Sequence, residues 1–245
     1  MSASARVLQV LELFSEKRGS LRAAEVVKSL GVSTATAYRY LAELEEAGLV
    51  ERASGNEYVL GTKVVELDRV IRENDPLVVA AEDIMKALSE QTGATALLCR
   101  LHGHKVMCVH QVRGRLGPPT VSYQRGKAMS LFRGAASKVI FARLPHTVLE
   151  QIAASQADEL REGGFSSTWS ELRAELAMLR EHSVLASRDE MDPVALGWSV
   201  AIEARKKLLG SLSLVLYRAA DPIHTVRLSE QLRRAVLQIE ARLED

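Results

Sequence analysis

The sequence predicts an α+β protein of two domains: a small helical domain that carries a β-hairpin, and a larger domain of helices packed on an antiparallel sheet. Three observations lead to this prediction. Apolar residues recur at helical spacing up to about residue 47, a polar turn at 53–56 separates two strand-like segments, and helical and strand-like segments alternate beyond residue 76. With 245 residues and 47% hydrophobic content, the chain is long enough to bury two cores.

Three helices are predicted in the first domain. An opening helix covers about 5–15, and a second helix is capped by Ser20 and ends at Gly31, because glycine tolerates the left-handed conformation at a helix C-terminus. Ser33 caps a third helix that runs to about residue 47. The apolar residues expected to face the core are Val7, Val10, Leu11 and Phe14; Ala24, Val27 and Leu30; and Ala37, Leu41 and Leu44.

A short β-ribbon follows the third helix. Leu49–Arg52 and Glu57–Leu60 flank the segment 53–56, in which a glycine and an asparagine accept the positive φ of a hairpin turn. Helix, tight turn, helix and hairpin in this order outline a winged helix-turn-helix. That motif places its second helix in the major groove of DNA.

The third predicted helix is the second helix of this motif, and its outward side favours a DNA contact. Its side chains are short or able to hydrogen-bond, and short side chains let a helix sit deep in the groove. The alternative is that three helices and a hairpin merely pack a small core. The residues predicted to contact DNA are Arg22, Ser33, Thr34, Ala35, Thr36, Tyr38, Arg39 and Arg52.

The net charge of the first domain gives little support to a DNA-binding role. Residues 1–75 hold 10 Lys+Arg and 12 Asp+Glu, a net charge of 10 − 12 = −2, so the bulk basic character of many DNA-binding domains is missing. We therefore expect the basic groups to be segregated from the glutamates at 43, 45 and 46. We also expect specific binding to depend on dimerisation.

The predicted domains are a DNA-binding domain at 1–61, a linker helix at 62–75 and a second domain at 76–245. Apolar residues at helical spacing support a helix over 62–75, and the segment Glu73–Pro76 ends it, since proline continues a helix poorly. A helical linker can transmit a rotation between domains, which a flexible tether cannot.

The second domain alternates helix and strand. Helices are predicted over 79–91, 135–144, 168–180, where Thr168 and Glu171 form a capping box, and about 225–243. Strands are predicted over 95–101, 105–112, 200–204 and 210–217.

Six segments together resemble the isocitrate-lyase-regulator (IclR) family of bacterial transcription factors, and they span most of the chain. In order they are ARVLQVLELF, AAEVVKSLGVSTATAYRYLAELEEAGLVER with YVLGTKVVEL, SEQTGATALLCRLHGHKVMCVHQV, GKAMSLFRGAASKVIFARLP and VALGWSVAIEARKKLLGSLSLVLYR.

This resemblance implies a ligand-responsive regulator, either repressor or activator, of a catabolic operon. It implies a second domain similar to GAF domains, which binds a small organic or aromatic acid. It also implies a dimer or tetramer bound to a pseudo-palindromic, double-stranded operator.

The resemblance places the effector site around the run 126–135, where backbone N–H groups at the start of a helix attract a carboxylate. For Met129 and Leu131 ordinary core packing is the alternative, and for Ser213 a satisfied strand hydroxyl. Arg125 and Arg133 are further candidates for pairing with a carboxylate. The predicted effector-binding residues are Met129, Leu131, Gly134, Ala135, Asp189, Asp192, Trp198 and Ser213.

One cluster of residues supports a different function. Cys99, His102, His104, Cys108 and His110 lie within twelve residues, and Cys and neutral His are zinc ligands. A metal sensor, or a metabolic enzyme with an appended DNA-binding domain, is therefore the alternative function. A Cys–His nucleophile pair finds no orienting acid or oxyanion motif beside it.

Composition also limits the classes of protein to which this chain can belong. Two cysteines in 245 residues point to reduced thiols without a disulfide framework. The sequence shows no apolar run long enough to span a bilayer, and no hydrophobic leader follows Met1–Ser4. We expect a cytoplasmic, non-enzymatic protein without cofactor or metal.

Overall fold

The computed structural model describes residues 3–118, 122–217 and 224–244. Its Cα positions divide the chain into two compact units, Met1–Asp75 and Pro76–Asp245. The secondary structure of the first unit is α1 (Ala3–Gln9), β1 (Ser20–Arg22), α2 (Ala23–Leu30), α3 (Thr34–Glu46), β2 (Val50–Arg52), β3 (Glu57–Leu60) and α4 (Lys63–Asn74).

The turn between α2 and α3 forms as the sequence predicts. Gly31 has a φ of 63°, in the left-handed region that ends a helix, and Ser33 Oγ accepts a hydrogen bond from the backbone N–H of Thr36 at 3.2 Å. The core of the unit is contiguous and links all three opening helices to the ribbon. Its buried residues are Val10, Leu21, Ala23, Val26, Ala37, Tyr40, Leu41, Leu44, Val50 and Tyr58.

Three local predictions in this unit are wrong. The opening helix ends at Gln9 and continues as a 3₁₀ turn, so it is shorter than the apolar stripe suggested. Ser20 does not cap α2, because it belongs to β1 and its hydroxyl donates to Glu57 Oε2 at 2.7 Å. On α2 the buried residues are Ala23 and Val26, whereas Ala24 is exposed.

The ribbon is a three-stranded antiparallel sheet of order β1-β3-β2. Its turn contains Gly55 and Asn56, with φ of 75° and 59°, as the sequence predicts. The strand β1 was not predicted, because three residues carry too little pattern to reveal a pairing that depends on β3.

Helix α4 has an unusual surface. Of its twelve residues, all of which the structure describes, none is buried. Its exposed large apolar residues are Val65, Leu67, Val70 and Ile71, with exposures of 47–66%. The predicted helix over 62–75 is confirmed, and it presents an apolar side that this chain alone leaves open.

The second unit consists of α5 (Pro76–Thr92), β4 (Thr95–His102), β5 (Lys105–Val112), β6 (Ala128–Ser130), α6 (Ala135–Phe141), α7 (His146–Ser155), α8 (Ala157–Glu162), α9 (Trp169–Glu181), β7 (Leu185–Arg188), β8 (Ala195–Ala204), β9 (Lys207–Tyr217) and α10 (His224–Glu244). Its strands form one antiparallel sheet of order β6-β5-β4-β9-β8-β7.

Helices cover both faces of this sheet. On one face α5 and α10 pack on large apolar side chains of the central strands, including Trp198, Leu212 and Leu214. On the other face a second core contains α6 and α9 together with Leu97 and Cys99. Because successive side chains of a strand point to opposite faces, β8 and β9 supply both cores from alternate residues.

The four predicted helices and four predicted strands of this unit all form, most with longer bounds, whereas the helix predicted over 135–144 ends at Phe141. The capping box at Thr168 does not: its side chain makes no cap hydrogen bond, and the Glu171 carboxylate accepts from Ser166 Oγ instead. The short strands β6 and β7 and the helices α7 and α8 were not predicted. In the part of the chain that is described, no helix is both long and apolar enough to cross a membrane.

Candidate DNA-binding surface and effector cavity

The N-terminal half of α3 is buried on one side and exposed on the other. Ala37 and Tyr40 lie in the core, whereas Thr34, Ala35 and Arg39 are exposed. Tyr38 is also exposed, at 46% of its surface. The side predicted to contact DNA is therefore free of the core of its own unit.

Two of the predicted hydroxyls have a structural role. Ser33 Oγ accepts from Thr36 N, and it lies 2.8 Å from Thr36 Oγ1. This cap fixes the start of α3 and turns both hydroxyls toward each other. The exposed Thr34 is the hydroxyl left for an outside contact at this end of the helix.

The basic side chains of this surface are not segregated from the acidic ones, so that expectation is wrong. Each of four arginines lies near a glutamate, at N–O distances of 2.8–3.8 Å. These pairs are Arg18–Glu25, Arg22–Glu57, Arg39–Glu43 and Arg52–Glu45. Exposed ion pairs contribute little to stability, so these guanidinium groups can exchange a carboxylate for a phosphate at small cost.

The second unit contains a cavity between its sheet and the loop 189–194. It encloses about 390 Å³ outside the protein atoms, part of it open to solvent. Its lining residues are Leu97, Tyr123, Gly134, Ala135, Ala136, Ser187, Glu190, Met191, Asp192, Ala195, Gly197, Ser199, Ser213 and Val215. Only about 40 Å³ of this space admits a water-sized sphere, which is much less than the volume of about 300 Å³ or more that is typical of an open small-molecule site.

Serine hydroxyls line the sheet side of this cavity. Ser199 and Ser213 are cross-strand neighbours on β8 and β9, both buried, with their Oγ atoms 2.6 Å apart. One hydroxyl donates to the other in such a pair, so one O–H and three acceptor lone pairs remain available. Ser187 on β7 adds a third hydroxyl. The floor of the cavity can therefore bind a polar ligand.

Tyr123 forms the wall next to α6. Its hydroxyl donates to the carbonyl of Arg133 at 2.8 Å and lies 2.6 Å from Ser137 Oγ. Burial raises the pKa of Tyr123 above its ordinary range, so the phenol stays protonated. Gly134, with a φ of 82°, approaches this wall so closely that a Cβ there would lie 2.9 Å from the Tyr123 hydroxyl oxygen.

The start of α6, predicted to bind a carboxylate, already holds one. Glu190 Oε2 accepts from the Gly134 backbone N–H at 3.0 Å and lies 2.7 Å from Lys138 Nζ. The next acidic residue of the same loop, Asp192, accepts from the backbone N–H of Ser122 at 2.8 Å. The loop 189–194 is thus fixed at two points.

The structure brings together half of the predicted effector-binding residues: Gly134, Ala135, Asp192 and Ser213 line the cavity. Leu131 is buried in the adjacent core and Met129 packs against it, in agreement with the packing alternative. Asp189 begins the loop with a φ of 54° but does not line the cavity.

The placement of Trp198 corrects the prediction. Its side chain is buried on the opposite face of the sheet, among α5 and α10. Strand alternation is the reason, because Gly197 and Ser199 on either side of it face the cavity. Arg133 donates to the Glu190 carbonyl at 2.8 Å, and Arg125 to the Val109 carbonyl at the same distance.

Four cavity residues with functional groups were not predicted from the sequence: Tyr123, Ser187, Glu190 and Ser199. The local sequence does indicate the position of Ser199, because a small residue on each side of Trp198 marks the opposite face of the strand. No local pattern indicates the position of Glu190, since its partners lie 52 and 56 positions away.

The structure separates the members of the Cys–His cluster. Cys99 and Cys108 are cross-strand partners, fully buried as thiols, while His102 and His104 are exposed at the hairpin tip. A hydrogen bond to Cys108 and burial both raise the pKa of the Cys99 thiol, which disfavours a thiolate nucleophile. Within the described residues no group of three or more His, Cys, Asp or Glu side chains is placed to hold a metal ion.

Two family models match this chain. The IclR helix-turn-helix domain matches residues 3–54, and the bacterial transcriptional regulator IclR C-terminal domain matches residues 71–241. The second match covers well over half of the chain and includes every residue that lines the cavity.

Known proteins agree with this match. The HTH-type transcriptional regulator XynR of Escherichia coli is 25% identical over 242 residues, which are 97% of this chain and 95% of XynR. An IclR regulator structure from Silicibacter sp. TM1040 superimposes with a TM-score of 0.81 at 23% identity, covering 99% and 96% of the two chains. An IclR homologue from Microbacterium hydrocarbonoxydans, complexed with 4-hydroxybenzoate, gives a TM-score of 0.77 at 20% identity and covers 99% of each chain.

These structures confirm the predicted fold of an N-terminal helix-turn-helix unit and a C-terminal effector domain of helices on a sheet. The family consists of transcriptional regulators rather than enzymes. The division at residue 61 and the linker role of 62–75 stay predictions. By its two matched domains, its full-length relative and its fold, the chain belongs to the IclR family of transcriptional regulators.

Proposed function

We propose that this protein is a homodimeric regulator that binds operator DNA through α3 and responds to a small hydroxylated organic acid bound in the cavity of the second unit. The observation that carries the proposal is the exposed side of α3, which has a capped start, short side chains and an arginine, over a fully formed core. It acts in the cytoplasm on a catabolic operon, where the operator position sets repression or activation.

On the DNA side, Thr34, Ala35, Tyr38 and Arg39 enter the major groove. Ala35 is short enough to contact a thymine methyl group, and Arg39 can pair with guanine or a phosphate after leaving Glu43. Ser33 and Thr36 position the helix. The wing arginine at 52 and Arg22 of β1 contact the backbone in exchange for their glutamate partners.

On the effector side, the cavity combines hydroxyls on its floor with the backbone N–H of Gly134, which already donates to a carboxylate. A ligand with a hydroxyl at one end and a carboxylate at the other fits this distribution. The 4-hydroxybenzoate held by the Microbacterium homologue carries both groups. This bound compound supports the chemical class of ligand that we propose for this chain, but it does not identify the compound that this chain binds.

The apolar side of α4 supports self-association. Leu67, Val70 and Ile71 are about half exposed at helical spacing, and a second copy that packs on them would remove this surface from water. Because the net charge of residues 1–75 is near zero, we expect operator binding to require two α3 helices, one from each copy. We expect Leu67→Glu with Ile71→Glu to dissociate the dimer in analytical ultracentrifugation. Val226→Glu, at an equally apolar exposed position on α10, should not.

The DNA face is tested with a duplex selected from random sequences by the full chain. In fluorescence anisotropy, Arg39→Ala should weaken binding about tenfold, because a base-reading arginine contributes about 1–3 kcal/mol. Arg161→Ala removes the same charge from an exposed ion pair on α8 and serves as the control. Unchanged affinity of the Arg39 variant, or an equal loss in both, would exclude α3 as the reading helix.

A further inference from the structure

A second cavity lies at the opposite end of α6 from the first. Residues at the start of this helix, Gly134 and Ala135, line the first cavity, whereas Ile140 near its end lines the second. The second cavity encloses about 1000 Å³ outside the protein atoms, part of it open to solvent, and about 520 Å³ of this space admits a water-sized sphere. This volume lies within the range of about 300–1,000 Å³ that is typical of small-molecule sites, which the first cavity does not reach.

The walls of the second cavity are mostly apolar. One wall comes from α6, α7 and the turn between them, and the other comes from the end of β4 and the start of β9. Leu101 at the end of β4 is 37% exposed, and Leu208 and Leu209 on β9 are half-buried. Water in contact with these walls is released when an apolar group covers them. The apolar lining residues are Leu101, Ile140, Leu144, Pro145, Val148, Leu208 and Leu209.

The charged groups of this cavity are all positive. Besides Gly210, its remaining lining residues are the cations Arg143, Lys206 and Lys207, and none of its lining residues is acidic. Both lysines are exposed, and neither forms an ion pair within the part of the chain that the structure describes. An apolar cavity with cations at its mouth is complementary to a molecule that has an apolar tail and an anionic head.

Arg143 is the most buried of these cations. Its side chain is 18% exposed, and its Nε lies 3.4 Å from Oε1 of Glu203, whose side chain is 52% exposed. Burial lowers the pKa of Arg143, and the charge of nearby Arg180 acts in the same direction. The guanidinium therefore has less water around it than an exposed arginine has, and its carboxylate partner is free to turn to solvent. A second carboxylate at this place would be stabilised by a charge-assisted hydrogen bond.

The two lysines are held by a hairpin turn with an unusual sequence. Ala204 and Lys207 are cross-strand partners, so Arg205 and Lys206 form a two-residue turn between β8 and β9. Their φ values of 50° and 61° are both positive, as in a type I′ turn, for which asparagine and glycine are the preferred residues. Strained residues of this kind cluster at ligand-binding sites. A role of their charges in binding would account for two cations at these positions.

We propose that the second cavity binds a free alkyl carboxylate, with the alkyl chain on the apolar wall and the carboxylate between Lys206, Lys207 and Arg143. The apolar walls disfavour a small, fully polar anion, and the three cations disfavour a neutral or cationic amphiphile. This site is separate from the first cavity, and the inference does not depend on the proposed effector role of that cavity.

Isothermal titration calorimetry on the full chain tests this, with octanoate, 1-octanol and acetate as probes. Octanoate has both the tail and the head, whereas 1-octanol lacks the charge and acetate lacks the tail. We expect octanoate to bind once per chain with a Kd of about 1 mM or below. The two partial probes should bind at least about tenfold more weakly, because each forms only part of the contacts.

Variants at the mouth and wall locate the site. Lys206→Gln with Lys207→Gln removes two exposed charges and should weaken octanoate binding about tenfold, to the level of 1-octanol. Lys17→Gln with Lys28→Gln removes two exposed lysines from the first unit and should leave the octanoate Kd unchanged. Leu101→Asp places a carboxylate on the partly exposed apolar wall and should abolish binding. The Tm of each variant without ligand shows whether its fold is intact.

Three results would overturn the proposal: equal affinity for octanoate and 1-octanol, full affinity in the double lysine variant of the mouth, or an octanoate site lost in Ser213→Val, which fills the floor of the first cavity. Sedimentation separates a further possibility. If Leu101→Asp dissociates an oligomer of the wild type, the second cavity is a contact between copies of this chain and the proposal is wrong. The calorimetry contains no DNA, so its failure leaves the proposed regulator intact.

Discussion

The proposed DNA-binding surface and the proposed effector cavity place their chemistry in opposite environments. On α3 the functional side chains are exposed, and the arginines around them sit in surface ion pairs. In the cavity Ser199 and Ser213 are buried and already hydrogen-bonded to each other. A substitution on the first surface should therefore change binding alone, whereas one in the cavity should change stability as well.

The largest expected difference concerns two glycines of positive φ, one in each unit. At Gly134 (φ 82°) an added Cβ would lie 2.8 Å from Met191 Cγ and 2.9 Å from the Tyr123 hydroxyl oxygen. Gly134→Ala should lower the free energy of unfolding by about 2–4 kcal/mol, from backbone strain and overpacking together.

Gly55 in the wing is the matched control. It has a φ of 75°, and no described heavy atom lies within 4 Å of an added Cβ. Gly55→Ala should cost about 1 kcal/mol, from the backbone alone. Both tryptophans, Trp169 and Trp198, lie in the second unit, so fluorescence in a denaturant titration follows that unit alone. Far-UV circular dichroism in the same titration follows the helices of both units and measures the cost of Gly55→Ala. Equal losses of unfolding free energy in the two variants would contradict the crowding at Gly134.

A smaller effect is expected from the hydroxyls. Ser213→Ala leaves Ser199 without its partner and should destabilise the second unit by about 1 kcal/mol. Thr34→Ala at the exposed start of α3 should change stability by less than about 0.5 kcal/mol while it weakens operator binding. A stable Ser213 variant and an unstable Thr34 variant would reverse the comparison of the two regions.

The two regions also differ in how much of each could be predicted from the sequence. The start of α3 is set by local chemistry, so Gly31 and Ser33 predicted it, and the exposed face followed from helical spacing. The cavity depends on contacts distant in sequence. Alternation along β8 shows that Trp198 and Ser199 face opposite sides, but which side holds the cavity is decided by packing with α10. The Glu190 contacts with α6 leave no local pattern.

The smallest expected effect is a pH dependence of stability from exposed carboxylates in both units. A hydrogen bond from Arg242 lowers the pKa of Asp83 from 3.8 to about 2, and hydrogen bonds from Ser20 and Arg22 lower the pKa of Glu57. A carboxyl group with a lowered folded pKa stabilises the protein above its unfolded pKa, and this contribution disappears as pH falls through the folded value.

Stability of the second unit should therefore fall between about pH 4 and pH 2. The part due to Asp83 should be missing in Asp83→Asn. Chemical denaturation followed by tryptophan fluorescence measures it, and Asp68→Asn, in an exposed ion pair of α4, is the control in the other unit. An Asp83 variant with the same pH profile as the wild type would show that the Arg242 pair does not stabilise the fold.

The most direct measurement is the affinity of the full chain for its selected duplex, with and without a series of small hydroxylated carboxylates, in the wild type and in Ser213→Val. The variant fills the cavity floor but leaves α3 unchanged. At least one acid should shift the wild-type Kd fivefold or more and leave the variant unaffected, while both bind DNA equally without acid. An acid that shifts both chains equally, or an operator affinity that no acid changes, would contradict control of DNA binding by the cavity.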